Sequence, residues 1–212
     1  MKIFDFDGTT GARQLEGTDK WCFVTDYPYG DIYEAEDMHR EGISFKGNTV
    51  RLIRYPEGDV FIPVGPAQDL AVGEPEYLDG SIYLLAVDFH EETIAICRFS
   101  CLSYETENVM CMSLHDVQNT YNLRLHTSPL ILTRQPNDGT FEIVWPDRKT
   151  FKVDSRESFY LRDGDRLYFN TWYEDPDYHD ETVIRSYETG EFIEKVPGDF
   201  QKMPNGEIWY LR

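Results

Sequence analysis

Residues 80–100 read GSIYLLAVDFHEETIAICRFS, two apolar runs rich in β-branched residues, separated by the polar stretch Asp88–Glu92. Ile82 to Val87 is apolar at every position. That run is too short for a helical stripe and does not alternate as a half-solvated strand would, so it reads as a strand buried on both faces. The same grammar extends outward through TVRLIRY (49–55), DVFIPV (59–64), FEIVW (141–145), DRLYFNTWY (165–173) and EIWYLR (207–212), all β-branched and aromatic runs bounded by turn residues. Pro56-Glu57-Gly58, Asn137-Asp138-Gly139 and Glu188-Thr189-Gly190 each place a glycine where a hairpin reversal needs positive φ. Apolar residues at three-and-four spacing behind a cap are nearly absent, which makes this an all-β chain.

Several strand starts fall in phase. Gly80 precedes SIYLLAVD, Gly164 precedes DRLYFNTW and Gly206 precedes EIWYLR; the last two glycines are 42 residues apart and the first two are separated by twice that. Asn122 opens LRLH midway between Gly80 and Gly164, whereas Asn48, before TVRLIRY, breaks the phase by lying only 32 residues before Gly80. A period near 42 with three or four short strands per unit resembles the blade of a β-propeller, and 212 residues hold five such units. What the resemblance implies is a single five-bladed propeller domain over residues 1–212. The strand opening each unit would be sandwiched between blades, and the N-terminal strands Lys2–Phe6 and Trp21–Thr25 would pair with Glu207–Leu211 to close the ring. A β-sandwich or barrel is the alternative fold. The Trp-Asp and Gly-His signatures of WD40 repeats are missing, so no named propeller family is assigned.

Composition narrows the classes. With 41% hydrophobic and 15% aromatic residues the chain has ample core-forming material. Thirty-nine acids against 20 bases give a net charge of −19, which argues against nucleic acid and anionic membrane as partners. The start MKIFDFDGTTGARQ has no apolar signal core, so a cytoplasmic protein is expected. Cys22, Cys97, Cys101 and Cys111 form no CxxC pair and read as reduced thiols; neither metal nor cofactor is expected. Oligomeric state is not legible.

IFDFDGTT (3–10) is similar to the first motif of the haloacid dehalogenase phosphatases, which would make Asp5 the nucleophile and Asp7 the acid/base. The parallel α/β scaffold and further acids of that family are missing, however, and Gly198-Asp199 leads into FQKMPN rather than a second acid, so a polar turn is expected. EDPDYHDE (174–181) and Asp31–Asp37 read as solvated acidic loops, although an oxygen-rich loop also suits Ca²⁺. His115-Asp116 lacks a nucleophile. Glycoside hydrolysis needs two carboxylates about 5–9 Å apart, and Asp79 and Asp163, one residue before the phased glycines, are the candidates, with Asn205 at the equivalent position. Tyr27, Tyr29, Tyr121, Trp172 and Tyr173 are candidate stacking surfaces. The expectation is a non-catalytic binding module that recognises a partner protein or small polar ligand through Asp79, Asp163 and Asn205; a carboxylate-dependent glycoside hydrolase is the alternative.

Overall fold

The computed structural model describes every residue except Ser128, Pro176, Pro204 and Gly206, and the side chain of Lys202. The phased glycine at 206 therefore lies outside the described residues. The chain divides into two compact units, Met1–Thr120 and Tyr121–Arg212.

Unit 1 opens with β1 (Arg13–Gln14), β2 (Trp21–Thr25), helix α1 (Ile32–Arg40), β3 (Val50–Arg54) and β4 (Val60–Phe61), the strands forming one antiparallel sheet in chain order. A second sheet takes β5 (Leu70–Val72), β6 (Glu76–Leu78), β7 (Ser81–Asp88), β8 (Thr93–Ser100) and β9 (Thr106–Ser113). There β5 and β6 pair with successive halves of β7, whose other edge carries β8. The two sheets share a core in which Leu52, Ile82 and Leu84 are fully buried and Trp21 meets Phe99 edge-on at 5.7 Å. On the opposite side Leu85 and Val87 are buried as well, which is why Ile82–Val87 shows no alternation.

The segment between β2 and β3 supplies part of that second cover. Asp31–Asp37, expected to be a solvated loop, belongs to α1. Asp31 Oδ1 accepts from the Glu34 backbone N–H at 2.8 Å while Glu34 Oε2 accepts from the Asp31 N–H at 3.0 Å. This capping box satisfies two otherwise orphaned donors, and His39 and Arg40 in the last turn complement the helix dipole. Asn48 is fully buried; it accepts from the Tyr29 hydroxyl at 2.6 Å and the Val72 N–H at 2.8 Å, and its amide donates to the Val72 carbonyl at 2.7 Å. The phase breaks upstream of Gly80 because Asn48 precedes the third strand of its sheet, whereas Gly80 precedes the second.

Unit 2 contains β10 (Arg124–Thr127), β11 (Leu130–Arg134), β12 (Thr140–Trp145) and β13 (Lys149–Lys152) in one antiparallel sheet, and β14 (Ser158–Asp163), β15 (Arg166–Tyr173), β16 (His179–Ser186) and β17 (Phe192–Pro197) in the next. A two-stranded ribbon of β18 (Asp199–Lys202) and β19 (Ile208–Leu211) follows. The β14–β17 sheet is used on both faces. Leu167, Phe169 and Val183 join Ile131 and Phe141 in one cluster, while Tyr168 and Ile184 pack toward Phe200 in another. Phe141 meets Phe169 at 5.0 Å and Tyr168 meets Phe200 at 4.9 Å, both close to perpendicular.

The all-β class and all three expected hairpins are present, with Gly58, Gly139 and Gly190 at positive φ. Three expectations need correction. The strands after Gly80 and Gly164 are second, not first, in their sheets, and Asn122 opens a first strand, β10; the matching second strand is β11, so the repeat is not of fixed length. The apolar run of β19 is exposed at all four positions, because the ribbon gives it a single neighbour. The ladder between head and tail is not formed among the described residues: Lys2–Phe6 lies outside any strand, β2 has both edges occupied by β1 and β3, and β19 pairs with β18.

Gly190 offers a direct test of the turn chemistry. It has φ +72, and a Cβ there would lie 2.2 Å from the Phe151 ring, a clash in a fully packed core. Gly190→Ala is expected to destabilise the protein by about 2–4 kcal/mol, through left-handed strain plus overpacking; chemical denaturation measures this.

Candidate functional site

The sequence-derived site residues occupy turn positions. Asp79 and Gly80 form the two-residue turn between the paired Leu78 and Ser81, both at positive φ (47 and 77), and Asp79 is exposed. Asp163 pairs with Arg166 across the turn at Gly164 and is exposed, and Asn205 caps its own turn by accepting from the Glu207 N–H at 3.1 Å. Asp163 and Asn205 thus sit in separate hairpins, and Asp79 belongs to unit 1. Each residue has a sufficient local explanation in hairpin chemistry.

The Asp5–Asp7 motif is likewise a turn. The Asp7 N–H donates to Asp5 Oδ1 at 3.1 Å, Asp7 and Gly8 have φ of 53 and 85, and the Thr9 N–H closes onto the Phe6 carbonyl. Every named strand pairing is antiparallel, so the phosphatase scaffold is not formed by the described residues. His115 faces Glu92 at 3.1 Å on the surface. Among the aromatic candidates, Tyr29 is buried in the Asn48 network, Trp172 is 55% exposed and Tyr121 accepts from the Asn137 amide at 2.6 Å.

The acidic stretch 174–181 gives the most informative departure. Its last three residues are not loop: His179, Asp180 and Glu181 begin β16, opposite Tyr173, Trp172 and Thr171. Glu181 is tied to Lys195 at 2.7 Å, and this hydrogen bond holds its carboxyl below the ordinary range despite partial burial. Tyr173 stacks on His179 at 4.8 Å with the Arg156 guanidinium over its ring at 5.2 Å. Among the described residues, no group of three or more His, Cys, Asp or Glu side chains is arranged to hold a metal.

Gly198 then folds the chain so that Asp199 comes beside Asp180. With φ +95 it donates its N–H to the Asp180 carbonyl at 2.8 Å, while its own carbonyl accepts from the Thr182 hydroxyl at 3.0 Å. A Cβ on Gly198 would lie 2.0 Å from the Leu211 carbonyl oxygen. Asp199 Oδ1 is buried without a hydrogen-bond partner among the described residues. Burial raises the Asp199 carboxyl above its ordinary range and the nearby Asp180 charge adds to this, outweighing a hydrogen bond from the Phe200 N–H. Tyr178 donates to Asp180 at 3.4 Å, and its phenol is raised chiefly by that carboxylate. A carboxyl raised by burial beside a second acid is a candidate proton donor.

A second feature of unit 2 is a polar groove of about 340 Å³ on the outward side of β10 and β11, bordered by Asn122, Arg124, His126, Gln135, Asp154 and Ser158. Its wall is braced by Gln135, which accepts from the Phe159 N–H at 3.0 Å and donates to the Glu157 carbonyl. Glu157 is fixed in turn by Arg185 through two bonds of 2.7 Å. Arg156, in the same loop, reaches the Tyr173–His179 stack.

No family model matches the chain, and no curated protein matches it. Among solved structures it is similar to one from Bacteroides uniformis described as a "putative 6-phosphogluconolactonase", at 12% identity and a TM-score of 0.38, over 91% of this chain and 74% of that one. The name is that of an enzyme, and this finding runs against the expected non-catalytic binding module, which is withdrawn; at that TM-score the likeness supplies no argument about this chain's own reaction. No helix among the described residues is long and apolar enough to cross a membrane.

The raised Asp199 carboxyl has a thermodynamic signature. Its folded-state pKa lies above the unfolded value, so its stabilising contribution is complete below the ordinary aspartate range and is lost as pH rises through the raised value. At pH 7 the ionised group is a liability that Asn lacks. Asp199→Asn is expected to raise the melting temperature at pH 7 by about 1–3 °C, a modest shift because the site is partly solvated. The difference should close toward about pH 3, where aspartate is protonated in both states; melting curves across this range check it.

Proposed function

We propose that the protein is a carboxylate-dependent hydrolase of glycosides, with Asp199 as proton donor and Asp180 as its partner acid. The observation that carries this reading is the buried, unpartnered Asp199 Oδ1 beside Asp180. A protonated carboxyl held there donates to the leaving glycosidic oxygen, and a carboxylate next to it stabilises the positive charge that develops on the sugar ring. Exposed Trp172, opposite Asp180 in the ladder, offers an aromatic face for a sugar. For the scaffold we propose one propeller-type domain over residues 1–212. The five antiparallel sheets among the described residues, each joining strands close in sequence, support that count.

The test is turnover of a panel of glycosides by the full chain, followed by Asp199→Asn. The wild-type rate should fall as pH rises through the raised Asp199 value, and the variant should lose that limb. On sugars with alkoxide leaving groups the variant should lose about 10²–10⁴-fold in kcat, while dinitrophenyl glycosides, whose leaving group needs no proton, should lose far less. Absence of turnover across the panel, or equal loss on both leaving-group classes, overturns the assignment.

A further inference from the structure

The β10–β11 groove has a feature at odds with the charge of the chain. Acids outnumber bases almost two to one, and other arginines sit on carboxylates, as Arg13 does on Glu74, Arg166 on Glu194 and Arg185 on Glu157, or over aromatic rings, as Arg156 does over Tyr173 and Arg162 over Tyr187. Arg124 is exposed on β10 and forms no ion pair among the described residues. It points to the groove side together with His126, two residues on, as strand alternation requires, while Leu125 and Thr127 between and beyond them are buried. His126 is positioned by Thr133 at 3.0 Å and by the edge-on Phe159 ring at 4.9 Å.

The acids of this groove do not cancel Arg124. Glu157 is neutralised by its two bonds to Arg185. Asp154 turns one oxygen, Oδ1, to the Arg156 N–H at 3.0 Å and keeps acceptor capacity toward the groove. Ser155 and Ser158 add hydroxyls to the lining, and the Asn122 amide is anchored on the Gln135 carbonyl at 3.1 Å. The resulting pattern is one strong cationic fork at β10, a carboxylate acceptor on the facing loop, and neutral donors between.

We propose that this groove binds a polyhydroxylated ligand through an anionic substituent, a phosphate monoester or a carboxylate, with Arg124 as its charge partner and Asp154 accepting from ligand hydroxyls. A planar guanidinium suits either group through paired hydrogen bonds. The volume holds a monosaccharide-sized ligand. The proposal goes beyond the glycoside reading, whose two acids are not among the groove residues, and binding is measured without turnover, so the two fail separately.

The experiment is calorimetric titration of the full chain with glucose 1-phosphate, glucuronate and glucose, repeated with Arg124→Gln and Arg124→Lys. At least one of the two anions should bind saturably while glucose does not, and which of them binds identifies the substituent. Arg124→Gln should weaken that binding about tenfold or more, with Arg124→Lys intermediate, as expected for loss of a charged hydrogen-bonding fork from an exposed site. Wild-type affinity should fall as sodium chloride is raised. Failure of both anions to saturate, equal binding of glucose, unchanged binding in a folded Arg124→Gln variant, or affinity insensitive to salt each overturns the proposal.

Discussion

The ion pair between Arg185 and Glu157 holds unit 2 in register. Its carboxylate is almost wholly buried, both oxygens accept from the guanidinium at 2.7 Å, and a third guanidinium bond reaches the Gly190 carbonyl at 3.0 Å. Charges withdrawn from water are tolerated when every partner is in place, and removing one partner of such a pair costs about 3–5 kcal/mol. The Asp154–Ser158 loop is thereby fixed to the C-terminal end of β16 and to the turn that follows it. The groove wall is carried by the loop, and Asp180 lies at the far end of β16. The groove thus includes one member of the pair, Glu157, as part of its lining.

The second constraint is burial on two faces. In the β14–β17 sheet, Leu167 and Phe169 point one way and Tyr168 the other, each into its own apolar cluster. A sheet of this kind has no face to give to solvent, so its neighbours on either side must also be sheets or loops with apolar undersides. In unit 1 the same demand on β7 is met on one face by the β1–β4 sheet and on the other in part by the α1 insertion, where Phe45 and Phe89 meet at 6.0 Å. That solution needed a helix because the connection between β2 and β3 was long enough to hold one.

Local signals were legible where the chemistry was local. The hairpins at Gly58, Gly139 and Gly190 and the strands around Ile82, Ile94 and Phe169 followed from turn residues and β-branched runs alone. The helix at Ile32–Arg40 had a readable cap in Asp31 and Glu34, but its acid-rich composition suggested a solvated loop and hid it. Equal spacing of glycines misled in part, since it aligned a first strand with second strands. Asp180 and Asp199 could not be paired from the sequence, because they belong to different strands and meet only through the reversal at Gly198. Asp79, Asp163 and Asn205 were conspicuous for the opposite reason: a dipeptide that makes a good turn looks like a motif.

The ribbon formed by β18 and β19 leaves Ile208, Trp209, Tyr210 and Leu211 between 37% and 49% exposed. An open, apolar strand edge invites pairing between molecules, and here no bulge or edge lysine on β19 discourages it. The net charge of −19 opposes such encounters at neutral pH through mutual repulsion. Colloidal behaviour is consequently tied to ionisation of the surface acids: acidifying the solvent discharges the coat while the sticky edge persists, which favours association through that edge.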